Sequence, residues 1–93
     1  MKEITQENLA KAFEVTQAAL KEAEQSKNRT SLKNEREDCI DLVRRYIADA
    51  KHFEKNGDFI NAFGALYYAH GILDALARTG MCDVHNSKLF VVD

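Results

Sequence analysis

A chain of 93 residues that is 45% hydrophobic and 30% charged, with no proline, has the composition of a folded helical protein rather than a disordered tract. Its net charge of −2 argues against nucleic-acid binding, which needs a clustered basic surface. The polar start lacks the apolar stretch of a signal peptide, and the two widely spaced cysteines, Cys39 and Cys82, read as reduced thiols of a cytoplasmic protein rather than as a disulfide.

The length suits one domain, for which the hydrophobic periodicity predicts an all-α, three-helix antiparallel bundle with an extended C-terminal tail. The first helix is predicted over 5–27. Thr5 suits the N-cap, and Ile4 with Leu9 forms a hydrophobic staple across it. Leu9, Phe13, Thr16 and Leu20 make the apolar stripe, widened by Ala12, Ala19 and Ala23. Ser26 to Lys33 is polar and rich in residues that compete with helix hydrogen bonds, so a turn belongs there. Ser31 or Asn34 is the expected cap of the second helix, over 35–56. Its seam steps through Cys39, Val43, Tyr46, Ala50 and Phe53, flanked by Ile40 and Ile47.

Asn56-Gly57-Asp58 then stops one helix and starts the next. Gly57 suits a left-handed C′ position and Asp58 an N-cap, so the two helices form a tight hairpin. The third helix, over 58–79 and ended by Gly80, carries Asp74 as its single charge between residues 59 and 77. Phe59, Ala62, Phe63, Leu66, Ala69, Leu73, Leu76 and Ala77 form one face. The opposite face holds Ile60, Gly64, Tyr68, Gly71, Ile72 and Ala75, where a solvated helix would be charged. Asn61, His70 and Asp74 within a stretch barely long enough to span a bilayer argue against a membrane helix. Two neighbouring helices cannot cover the whole girth, so this face predicts a homo-oligomer contact or an unidentified protein partner, the plain alternative being packing against the first helix or the tail. Residues 81–93 form a tail whose Leu89-Phe90-Val91-Val92 run is expected to dock.

The hairpin carries a likeness to a known family. Tyr46 to Ala50, Phe53, Gly57-Asp58, Asn61-Ala62-Phe63, Tyr68-Ala69-His70-Gly71-Ile72-Leu73-Asp74-Ala75, Gly80 and the closing Leu89 to Asp93 resemble the short archaeal proteins called domain of unknown function 357. The resemblance spans roughly residues 35–93. It implies a small helical fold and an archaeal cytoplasmic setting, and it supplies no activity or catalytic residues. The Gly57-Asp58-Phe59 turn also looks like that of a tetratricopeptide unit, but one unit cannot build a solenoid.

Polar groups on the third helix are the leading site candidates. Tyr67, His70 and Asp74 follow at i, i+3, i+7 on one flank. A carboxylate one turn from an imidazole fixes its tautomer and makes an acid–base pair. Asp49, if it faces them, would complete a set able to bind a small ligand or a divalent metal. The plain alternative is a buried polar network that fixes the hairpin register. Arg45 and His52 stand seven apart on one helix face and loosely resemble the Arg-x(4–6)-His motif of HEPN-type ribonucleases; the plain alternative is a solvated, charged face. Cys82-Asp83-Val84-His85 offers two zinc-type ligands without a second pair. No phosphate loop, nucleophile elbow or zincin helix is present, so no cofactor is implied. The expected function is a non-enzymatic, self-associating interaction or scaffold module, with ligand or metal binding second and an RNA-processing nuclease a distant third.

Overall fold

The computed structural model describes residues 4–91. Three helices follow in order, α1 (Gln6–Gln25), α2 (Lys33–Lys55) and α3 (Phe59–Thr79). The backbone amide of Arg29 donates to the Gly80 carbonyl and that of Asp83 to the Lys27 carbonyl, both at 2.8 Å. The C-terminal ends of α1 and α3 therefore lie together, and α2 runs antiparallel to both in an up-down-up bundle. The bundle measures 42 × 25 × 20 Å, its long axis set by the 23-residue α2.

The helix ends show the local chemistry. Thr5 caps α1 by accepting from the Asn8 amide at 3.0 Å. Asp58 caps α3, taking the Asn61 amide at 3.2 Å and the Asn61 side chain at 2.7 Å. Gly57 (φ 76°) and Gly80 (φ 82°) close α2 and α3 in the left-handed region. The start of α2 differs from the expected Ser31 or Asn34 cap. Leu32 occupies its N-cap and has no side-chain acceptor to offer. The preceding loop is organised instead by Asn28, whose Oδ1 accepts from the Thr30 amide (2.9 Å) and hydroxyl (2.7 Å), while Thr30 Oγ1 takes the Leu32 amide at 3.0 Å. These bonds stay within the turn, and α2 begins without a side-chain cap.

The core draws on all three helices and the tail. Leu9, Phe13, Thr16, Ala19 and Ala23 are buried from α1. Ile40, Val43, Ile47 and Ala50 are buried from α2. The predicted seam is thus turned slightly, with Ile40 and Ile47 inward and the bulky Tyr46 and Phe53 half-buried at its edges. From α3 come Ala62, Ala65, Leu66, Ala69, Leu73, Leu76 and Ala77, small and branched residues that allow close helix packing.

The tail docks across the end of the bundle. Cys82, Val84 and Phe90 are buried. The Cys82 amide donates to the Leu76 carbonyl at 3.0 Å, and a turn at Asn86, with the amides of Leu89 and Phe90 returning to its carbonyl, folds Phe90 inward. Leu89 is half-buried and Val91 exposed; Val92 lies outside the described residues.

Candidate interaction face and groove

Helix α3 is apolar around its girth, and α1 and α2 cover only part of it. On the uncovered side Ile60 is 75% exposed, Tyr67 68% and Tyr68 69%. Gly64 and Gly71 stand among them, and nothing lies within 4 Å of where a Cβ would be placed at either. Ala75 is exposed and Ile72 half-buried on the same side. Tyr68 stacks on Tyr46 of α2 with ring centroids 5.5 Å apart and planes 15° apart, bracing it from the flank without covering its outer face. Tyr67 leans on Phe63 at 4.9 Å. The six apolar positions singled out in the sequence thus share one face, and most of that face is open.

A second feature lies around the other flank of α3. An open groove of about 660 Å³ runs between α1 and α3. Ala12, Val15, Phe63 and Leu66 give it apolar walls, and Asn8, Lys11, His70 and Asp74 place polar groups along it. His70 Nε2 stands 3.8 Å from Asp74 Oδ1, both side chains about a quarter exposed. The same Asp74 oxygen accepts from the Val91 amide at 2.9 Å, so this carboxylate ties the tail to α3. Tyr67, His70 and Asp74 are therefore brought together along one groove.

Asp49 does not join them. It is exposed on α2, whereas the groove is bordered by α1 and α3 alone. Among the described residues no three His, Cys, Asp or Glu side chains converge as a metal site would require. Arg45 pairs with Asp41 on its own helix (2.6 and 3.0 Å), and His52 contacts the Asn56 amide group at 3.2 Å, so each is engaged locally. Cys82 is fully buried, while His85 is exposed and pairs with Asp83 at 2.8 Å. The two are separated between core and surface.

Sequence reasoning missed Arg36. Its guanidinium donates to three backbone carbonyls, Met81 (3.0 Å), Ala23 (2.9 Å) and Ser26 (3.0 Å). A fourth bond goes to the Glu37 carboxylate at 2.9 Å. One side chain thereby joins the end of α1, the start of α2 and the segment after α3.

A family model described as a protein of unknown function (DUF357) matches residues 11–82. The chain belongs to this family. The DUF357 match begins within α1, well before the hairpin that carried the resemblance, and stops at Cys82 before the terminal Leu89–Asp93. Both helix-interior glycines, Tyr67, His70, Asp74 and Arg36 lie inside it. No curated protein and no solved structure matches the chain. Among the described residues no helix is long and apolar enough to cross a membrane.

Proposed function

We propose that this protein is a non-enzymatic interaction module that associates with itself through the outward face of α3. The carrying observation is the combination of two open glycines with three exposed large side chains on that face. Glycine in a helix interior costs about 1 kcal/mol relative to alanine. The space a Cβ would take at Gly64 or Gly71 is empty, so no neighbour within the described chain requires glycine there. A surface approaching closely from outside does. Open apolar faces of this extent mark contact sites, and self-contact is the commonest solution among soluble oligomers. Light scattering or sedimentation at micromolar concentrations tests the reading. A mass at least twice 10.6 kDa is expected for the native chain, with reversion to monomer and unchanged helicity for Gly64→Leu. A native chain that stays near 10.6 kDa throughout overturns it.

A small-ligand site is the second reading, favoured by the α1–α3 groove. Its volume of about 660 Å³ falls within the usual range of ligand pockets, roughly 300–1,000 Å³. Its lining of apolar walls with Lys11, His70 and Asp74 suits an apolar molecule bearing a polar group. Native mass spectrometry of protein purified from its own host should show a retained adduct that His70→Ala loses; the bare mass alone would reject this reading.

A further inference from the structure

The centre of the outward face of α3 reads alike from either end, two tyrosines flanked by two glycines. Ile60, Gly64, Tyr67, Tyr68, Gly71 and Ala75 follow at helical spacing and pair about a point midway between the tyrosines. Tyr67 pairs with Tyr68, Gly64 with Gly71 and Ile60 with Ala75. One step further out, Arg78 at the C-terminal end matches the Gly57-Asp58 turn at the N-terminal end.

We propose that α3 packs antiparallel against α3 of a second copy, about a two-fold axis passing between Tyr67 and Tyr68. This inference rests on the self-association reading and fixes its geometry. Gly64, Tyr67, Tyr68 and Gly71 stand at i, i+3, i+4 and i+7, the four corners of a hole on a helix surface. Two of those corners lack side chains and open onto empty space, which deepens the hole. In this register the two glycine-lined holes face each other, so the backbones approach most closely there, and the exposed tyrosines of each copy lie against those of the other along the flanks. At the edges, the protruding Ile60 meets the small Ala75 of the other chain.

Charge fixes the direction. Arg78 is exposed and makes no ion pair among the described residues. A parallel pairing sets Arg78 beside Arg78 and Asp58 beside Asp58. The antiparallel pairing sets Arg78 beside Asp58 of the second copy at both ends, and it opposes the two helix dipoles.

Cysteine cross-linking of the full chain tests the register, in a Cys39→Ser background that leaves the buried Cys82 in place. Under mild oxidation, Gly64→Cys mixed with Gly71→Cys should give a disulfide-linked dimer that neither variant gives alone. Ile60→Cys mixed with Ala75→Cys should do the same, and this second pair lies outside the tight centre, where a larger group at a glycine could itself block association. Self-linking of Gly64→Cys or Gly71→Cys alone, or a dimeric chain in which neither mixture links, overturns the antiparallel register while self-association stands. A native chain that remains monomeric by sedimentation overturns both.

Discussion

Replacing Arg36 by alanine removes three hydrogen bonds from a charged donor to backbone carbonyls and one ion pair to Glu37. A hydrogen bond to a charged group contributes about 1.5–3 kcal/mol, so a simple sum would be large. The surroundings reduce it. The Ala23 carbonyl keeps the Ser26 amide (3.2 Å) and hydroxyl (2.7 Å) as donors, so its loss is small. The Ser26 and Met81 carbonyls belong to half-buried residues and regain water only in part. The Glu37 partner is 56% exposed and adds under about 1 kcal/mol. The net cost is therefore about 2–4 kcal/mol. At about 4–8 °C per kcal/mol for a domain of this size, the melting temperature should fall by about 8–32 °C. Thermal and urea unfolding followed by circular dichroism measure this directly. Arg36→Lys should recover less than half, because an ammonium cannot reproduce the planar fork. Glu37→Gln should stay within about 0.5 kcal/mol of the native chain. An Arg36→Ala variant within about 1 kcal/mol of native, or a Glu37→Gln variant equally damaged, would refute the carbonyl-clamp argument.

Gly57→Val should cost about 1 kcal/mol or more, because φ is 76° there while a Cβ meets nothing, leaving backbone strain as the whole effect. An unchanged melting temperature would sink that account. Phe90→Ala should cost about 3 kcal/mol if the tail is an integral part of the core, since Phe90 is buried; a loss below about 1 kcal/mol in urea unfolding would mean that the tail adds little. Asp74→Ala removes the acceptor of the Val91 amide and should lower stability by about 0.5–1.5 kcal/mol, with faster hydrogen exchange at Val91 as the specific readout.

The hairpin was legible because its requirements are local. A left-handed residue must be glycine-like, and an N-cap must carry a short acceptor, so Gly57 and Asp58 announce themselves. The apolar stripe of α1 and the core face of α3 were legible for the same reason, periodicity being a property of a few turns. The start of α2 was not, because Asn28 and Thr30 spend their acceptors inside the preceding turn and no side chain caps the helix. Arg36 gave no signal at all: it reads as one more charge on a charged helix, while its acceptors lie 10, 13 and 45 residues away. Asp49 shows a further limit. A helical wheel places His70 and Asp74 on a flank of α3, but it does not say which neighbour borders that flank. The structure puts α1 there, and Asp49, exposed on α2, does not line the groove.

The two backbone bonds that join the 27–29 turn to residues 80–83 also bear on how the chain folds. The α2–α3 hairpin closes through a short turn and can form early, from contacts between near neighbours in sequence. The turn-to-tail bonds close only when α1 has swung onto that hairpin, across some fifty intervening residues, so they mark a later event. The amides of Arg29 and Asp83 become native reporters of that docking. If α1 detaches as a unit, their exchange should follow its opening, while the buried amides of α3 wait for global unfolding.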